Sequence, residues 1–458
     1  MLKSLFHVKS ANFSELRSRL MFLFLAIVVF RMGAHIPLPG LSAAHLQELM
    51  TGRSAGLMGV MNMLSGGSFS RMTVLALGLS PYIVASLAIQ MLTFVMPSLE
   101  QLKKEGEAGQ KKVTRYTRLA AVGLAALQGV GIATMLQGTP GLVLHPGFLF
   151  ELTTVMTLTT GTMVTLWLGE QVTERGLGNG VSMLIFAGIV SSIPSNVGLL
   201  LELVKTGSAG GFTLFVAALL VMATLAVVVA AETALRKIPV NYARATVHSV
   251  ASNSPASQGK EAAAARYKAT AVGAQSSHLP LKLNTAGVTP PILASMAISG
   301  PVAVLDWAAS FPAFARLKDA SAALAPGSWL HIVVSIAAIV FFTLLYTKLT
   351  VNTKETGDRL KKSNAFITGL RPGEHTAKYL DKVLTRVTLF GAAYISLICL
   401  LPTYLGQKLN LPFNFGGSSL LIIVVVTIDF IAQLKKYQFA HEYTGSLLKS
   451  APARKALA

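Results

Sequence analysis

At 458 residues, 52% apolar and with a mean hydropathy of +0.59, the chain is too hydrophobic for a soluble protein of this size. A net charge of +20 would ordinarily raise nucleic acid as a partner. Here the charge is confined to particular loops, so anionic phospholipids, ribosomal RNA and acidic cytosolic protein surfaces are the expected partners, and DNA is not. The single cysteine, Cys399, lies in an apolar stretch, which excludes an intrachain disulfide and a cysteine metal cluster.

A membrane-spanning helix needs roughly 20 apolar residues. Ten stretches approach that length: 20–38, 72–96, 116–136, 149–168, 180–193, 212–231, 283–305, 330–347, 383–401 and 418–434. The fifth is short and could extend past Pro194. The loops between them alternate in charge. Loops 1–19, 97–118, 169–180, 232–282, 348–386 and the tail from Lys435 carry 32 of the 39 basic residues. Loops 40–71, 137–150, 194–211, 306–328 and 402–417 carry six, and Arg31, near the outer end of the first span, is the last. Basic loops stay in the cytoplasm, so both termini are expected there. No cleavable signal peptide is visible, and the first apolar run reads as an uncleaved span.

The expected organisation is a cytoplasmic segment 1–19, a five-helix half 20–193 and an external hinge loop 194–211. A second five-helix half, 212–434, carries cytoplasmic loops 232–282 and 348–386, and a cytoplasmic tail 435–458 follows. Five spans is an odd number, so a repeat between the halves would have to be inverted in the membrane.

Three segments break the simple pattern. Residues 56–67 are apolar but too short to span, and Gly66 and Gly67 punctuate them. They read either as an interfacial helix on the outer leaflet or as a half-helix enclosed by protein or water. In loop 232–282, alternating runs at 237–242 and 278–283 suggest two extended arms, which Pro239 and Pro280 should restrict to edge positions. Between them, 249–265 is rich in Ala and Ser and reads as mobile, with a helical turn at 261–268. Segment 353–382 reads as a polar, basic loop. Arg371 precedes Pro372 and is pushed toward extended geometry, and Pro372-Gly373 is a turn signal that would project its side chain. The plainer alternative is a solvated run of charge.

Seven motifs then occur in order. They are Phe30-Arg-Met-Gly-Ala-His-Ile-Pro-Leu-Pro-Gly40, Asn62-Met-Leu-Ser-Gly-Gly67, Leu102-Lys-Lys-Glu-Gly-Glu107 and Trp167-Leu-Gly-Glu-Gln-Val-Thr-Glu-Arg-Gly-Leu-Gly-Asn-Gly180. His278-Leu-Pro-Leu-Lys-Leu-Asn284, Arg371-Pro-Gly-Glu374 and Phe415-Gly-Gly-Ser-Ser-Leu-Leu421 complete the set. With them the chain resembles the SecY family, the central subunits of the bacterial protein-conducting channel, over nearly its whole length.

The resemblance implies an all-α membrane protein with ten transmembrane helices in two inverted five-helix halves around an hourglass pore. It would conduct unfolded, signal-bearing polypeptides across the cytoplasmic membrane and release transmembrane segments sideways into lipid. Segment 57–71 resembles the plug: Leu57, Met58, Met61, Asn62, Met63, Leu64, Ser65, Gly66, Gly67 and Arg71. Leu79, Ile83, Val181, Ile185, Ile292 and Ile422 match the pore ring. Ser86, Leu87, Gln90, Gln128 and Asn284 are expected near a lateral gate of the second and third spans against the seventh and eighth. Arg236, Lys237, Arg244, Lys361, Lys362, Arg371 and Lys378 fall in the docking surfaces for the SecA ATPase and the translating ribosome. SecE and SecG are the implied membrane partners. One departure stands out: 245–271 is an Ala/Ser-rich extension where the family's loop is more compact and more basic near its tip.

These residue types suit such a task. An aliphatic ring offers no fixed ligand to a passing side chain and dewets when empty, which excludes ions. Ordinary helix packing is the simpler account of each apolar residue alone, and interhelical hydrogen bonding that of Ser86, Gln90 and Asn284. Met58, Met61 and Met63 are flexible thioethers, apt for a part that must repack. A multi-span secondary transporter of a small solute is the alternative from another class. Ion-coupled transporters bury acids at mid-membrane. Here the spans offer only Asp429 near the cytoplasmic end of the last and Glu151 at the outer edge of the fourth. An enzyme is not expected: there is no phosphate loop, no metal or cofactor motif, and no Cys/His nucleophile pair.

Overall fold

The computed structural model describes residues 13–42, 62, 65–138, 141–206, 211–242, 276–309, 323–324, 328–363, 365–371, 373–408 and 417–450. The helices are α1 (Phe13–Gly33), α2 (Ser80–Val95), α3 (Pro97–Lys104), α4 (Glu107–Gln137), α5 (Phe148–Arg175), α6 (Gly180–Lys205) and α7 (Gly211–Thr233). Strands β1 (Leu235–Tyr242) and β2 (Ser276–Lys282) precede α8 (Thr289–Ala309), α9 (Trp329–Thr350) and α10 (Thr353–Lys362). Strand β3 (Ala365–Ile367), α11 (Glu374–Lys408) and α12 (Gly417–Ser450) complete the described chain.

Each of the ten apolar stretches falls mainly on a helix: α1, α2, α4 to α9, α11 and α12. Among the described residues, helical stretches 107–137, 329–362, 374–406 and 417–437 are individually long and apolar enough to cross a bilayer. The bent pair α5–α6 passes jointly, and shorter apolar helices lie at Ser80–Thr93, Ala218–Thr233 and Thr289–Ile298. This is a multi-pass membrane protein.

Three boundaries depart from expectation. Helix α6 runs through Pro194 to Lys205, so most of the expected loop 194–211 is helical. A proline inside a helix withdraws a donor from the preceding turn. The carbonyl it leaves without a helical donor is that of Val190, and in the turn before it the Ser191 and Ser192 hydroxyls donate to the carbonyls of Gly188 and Ile189. The second stretch is helical only from Ser80: residues 65–79 form successive turns. Gly66, Gly67 and Gly78 have φ of +64°, +83° and +52°, and Met72 has +44°, so the chain there is left-handed at four points and cannot continue a helix. Segment 353–382 is structured rather than a loop. Asn352 caps α10 by accepting from the Glu355 amide, β3 follows, and α11 begins at Glu374.

The chain divides into two compact units, one of 1–225, 295–335 and 398–458, the other of 226–294 and 336–397. They do not coincide with the expected halves, since α7, α8, α9 and α11 each pass from one to the other. In the first unit, α4 packs on α2 and α5, and α6 on α1, α5 and α12. Its core gathers Leu38, Phe69, Met72, Ala76, Leu77, Ala125, Ile132, Leu136, Leu142, Phe150 and Leu158. Gly180 and Gly169 let the reversal from α5 into α6 close up: a Cβ on Gly180 would stand 1.9 Å from the Gly169 carbonyl.

The second unit adds a three-stranded antiparallel sheet, β2-β1-β3, to the helical fold. Strand β1 pairs with β2 from Leu235↔Lys282 to Asn241↔Ser276, which realises the two extended arms. It is the central strand, whereas Pro239 had suggested an edge. The reason is local: β3 pairs only with Val240–Tyr242, so β1 keeps a free edge from Leu235 to Pro239. Ile238, Val240, Ala365 and Ile367 pack on Leu380, Val383 and Val387 of α11.

Close backbone packing yields a stability test. A Cβ on Gly161 of α5 would lie 2.0 Å from the Val74 carbonyl, whereas one on Gly123 of α4 meets nothing within 4 Å. Gly161→Val should destabilise the purified protein by about 1–3 kcal/mol in thermal unfolding, and Gly123→Ala should leave it unchanged or slightly more stable. Equal effects would contradict this packing.

Candidate functional site

Segment 65–79 is backbone without helix or sheet, yet Ser65, Gly66, Ser68, Phe69, Met72, Thr73 and residues 75–79 are buried. Much of its backbone is hydrogen-bonded into the fold, although the buried Ser68 Oγ has no partner among the described residues. Met72 O accepts from Leu38 N at 2.9 Å, and Val74 N donates to Ile36 O at 3.0 Å. Ser70 N donates to Asn62 Oδ1 and Gly67 N to Asn62 O, both at 2.9 Å. Phe69 N donates to Ser65 Oγ at 3.1 Å. Arg31 of α1 donates from Nη1 to the Gly66 carbonyl at 3.0 Å. The turn is pressed on two helices where no side chain intervenes: against Gly161 of α5 at Val74, and against Gly188 of α6 at Gly66. A Cβ on Gly66 would stand 2.5 Å from Gly188 Cα. Of the expected plug residues, Asn62, Ser65, Gly66, Gly67 and Arg71 belong to this arrangement; Leu57, Met58, Met61, Met63 and Leu64 lie outside the described residues. Where described, 65–71 is turn rather than half-helix.

The aliphatic candidates occupy the same elements. Leu79 caps α2 and is buried, and Ile83 one turn on is half-buried. Val181 and Ile185 lie in the first two turns of α6; Val181 is half-buried and contacts Gly169, and Ile185 is buried. Ile422 of α12, the helix packed on α6, is buried. These five belong to the first unit. Ile292, buried near the start of α8, belongs to the second.

The polar gate candidates separate. Ser86 and Leu87 are half-buried on α2, and Gln90, exposed, donates to Ser86 Oγ at 3.3 Å. Gln128 lies on α4, and its Oε1 is buried without a hydrogen-bond partner among the described residues. Asn284 is not on a helix: it lies before α8, buried inside the second unit. Its amide donates to Glu232 Oε1 at 2.7 Å, while its Oδ1 accepts from Gly287 N at 2.9 Å. The Tyr394 hydroxyl of α11 donates to the same Glu232 oxygen at 2.6 Å. One turn before Tyr394, Gly391 lets α11 approach the Leu283 carbonyl, where a Cβ would be 2.6 Å away. Asn284 is therefore a strut between the end of α7, the entry to α8 and α11. Glu232 and Tyr394 were missed in the sequence; the available signal was an acid closing an apolar span.

The basic candidates are exposed. Arg236 and Lys237 stand on β1, Lys361 and Lys362 at the end of α10. Lys378 pairs with Glu374 one turn away at 3.0 Å on α11, an exposed contact that adds little to stability. Arg371 is exposed, and its carbonyl accepts from the Thr376 hydroxyl at 2.9 Å, which fixes the turn that presents it. Arg244, like 245–271 and the expected helical turn at 261–268, lies outside the described residues.

Comparison with known proteins returns one consistent answer. A family model described as SecY matches residues 73–431. "Protein translocase subunit SecY" of Escherichia coli (strain K12) is 44% identical over 448 residues, covering 97% of both chains. The protein of the same name from Vibrio cholerae is 45% identical with the same coverage. Among solved structures, "The structure of a protein conducting channel" superposes with a TM-score of 0.64 at 15% identity, covering 100% of this chain and 99% of that one. "Sec61 in the Canine ribosome-channel complex from the endoplasmic reticulum" gives 0.61 at 15%, with the same coverage. At that identity the structures speak for the fold alone.

The Glu232 strut predicts a graded cost. Removing one donor leaves a buried carboxylate partly unsatisfied, so Tyr394→Phe and Asn284→Leu should each destabilise the protein by about 1–3 kcal/mol. Thermal unfolding measures this, and no loss in either variant would contradict the arrangement.

Proposed function

The chain is a member of the SecY family, and on that footing we propose that it is the central channel subunit of a Sec protein translocase. It conducts unfolded, signal-bearing polypeptides across the cytoplasmic membrane and releases apolar segments sideways into lipid. The observation that carries this reading is a buried, non-helical segment, 65–79, seated on glycines of α5 and α6 in a chain aligned nearly end to end with translocase subunits.

In this reading the chain crosses the membrane ten times, in two inverted five-helix halves with both termini in the cytoplasm. The segment from Leu57 to Arg71 is the plug, and Leu79, Ile83, Val181, Ile185, Ile292 and Ile422 form the pore ring. A charge placed at the bilayer centre costs about 2.5–3.5 kcal/mol on insertion scales, and a hydrated passage avoids most of it. The aliphatic ring closes that passage to ions when idle and yields around dissimilar side chains in transit. Sideways exit uses the gain of roughly 0.8 kcal/mol for each CH₂ moved from water to lipid. Ser86, Leu87, Gln90 and Gln128 stand on α2 and α4, the packed pair that would part from the seventh and eighth spans, and Asn284 acts from the entry to α8.

The role is non-enzymatic. With no nucleotide site of its own, the channel takes its driving force from the SecA ATPase or a translating ribosome, docked on Arg236, Lys237, Arg244, Lys361, Lys362, Arg371 and Lys378. SecE clamps the two halves, SecG assists, and anionic phospholipids meet the basic cytoplasmic loops. The secondary-transporter reading is set aside, because the chain's relatives are named as translocase subunits.

Reconstitution with SecE in lipid vesicles tests this. Wild-type chain should import a signal-bearing precursor only with SecA and ATP. Ile185→Asn should raise ion leak or admit precursors with defective signals, and Arg371→Glu should reduce import severalfold. Import absent from the wild type, or unaffected by both substitutions, would refute the proposal.

A further inference from the structure

Arg31 is the basic residue that belongs to neither set of loops. Its ordinary explanation is a cation in the last turn of α1, complementing the helix dipole. That role needs only an exposed charge near the helix end. Instead the side chain is half-buried and reaches across the fold to the carbonyl of Gly66, 35 residues away. The acceptor belongs to a turn outside any helix or strand, at a residue with φ +64° whose Cα hydrogens face the backbone of Gly188. A Cβ on the next residue, Gly67, would stand 3.4 Å from Nη2 of Arg71. The Gly66-Gly67 turn thus has two guanidinium groups beside it and bare helix backbone against Gly66.

We propose that Arg31 is a clasp on the plug: its guanidinium holds the Gly66 carbonyl and keeps the 65–79 turn seated against α6 in the idle channel. The proposal rests on reading that segment as the plug. At Gly66 itself the turn meets α6 through backbone alone, so that one contact is dispersion between small groups. A charged donor to a carbonyl in a half-dry setting gives this weak contact direction and strength. Arginine suits the position because it is charged at every physiological pH and offers five donors in a fixed plane. The clasp is therefore indifferent to pH and opens by movement: once the turn lifts away, water takes over both partners. Arg31 is a positioning residue, acting on ions and substrate only through the plug.

The test uses the chain reconstituted with SecE in vesicles: wild type, Arg31→Gln, Arg31→Lys, a form lacking residues 57–67, and that form carrying Arg31→Gln. Hydrogen–deuterium exchange of the 65–79 backbone reports seating, and idle chloride leak reports sealing. Arg31→Gln should speed exchange across 65–79 about tenfold, the effect of losing a charge-assisted hydrogen bond, and raise the leak toward that of the shortened form. Arg31→Lys, which keeps the charge but not the fork, should fall between. In the shortened form Arg31→Gln should add no leak. Unchanged exchange in Arg31→Gln, or an equal added leak without the plug, would overturn the clasp. If the shortened form stays tight, the plug reading fails, while the exchange result still decides whether Arg31 holds the turn.

Discussion

A hydrocarbon layer supplies no hydrogen-bond partner, so backbone that is neither helix nor closed sheet survives there only where protein or water surrounds it. Residues 65–79 are where this chain has to meet that condition. They do so with donors and acceptors from α1, the 36–38 segment and Asn62, and with helix surfaces stripped to glycine at Gly161 and Gly188. Left-handed φ at four residues interrupts helix geometry along the segment. The result is a short non-helical element, largely buried, whose Phe69, Met72, Ala76 and Leu77 join the core while its glycines meet the helices through backbone. That combination suits a part that must leave and return.

The same economy of side chains recurs in the second unit. Gly391 brings α11 onto the Leu283 carbonyl, and the Glu232–Asn284–Tyr394 group ties the end of α7 and the entry to α8 to it. The three-stranded sheet grows from this base, with Arg236 and Lys237 exposed on β1 and Arg371 on the turn after β3. The sheet that carries these basic groups is tied to the entry of α8, whose first residue, Thr289, lies three residues before Ile292.

Much of this was legible beforehand, because a bilayer imposes conditions that a sequence displays openly. Apolar length marked the ten helices, loop charge gave an orientation, and alternation at 237–242 and 278–283 marked the hairpin. What stayed hidden depended on contacts. Pro194 reads as a terminator, yet α6 runs on through it to Lys205. Residues 72–79 are as apolar as any span, and only their packing shows that they are turns. That Asn284 is held by Glu232, 52 positions away, is visible only in the fold. The site residues themselves came from resemblance rather than pattern, since an isoleucine facing a pore and one facing a neighbour look alike in a sequence.

The central claim is that a polypeptide in transit passes a constriction of branched aliphatic side chains. Single photo-crosslinking residues at Ile83, Ile185, Ile292 and Ile422, tested against a translocation-arrested precursor, address it directly. All four should label the arrested chain, and exposed positions such as Phe215 on α7 should not. A precursor that is arrested in import yet never touches those four would contradict the account.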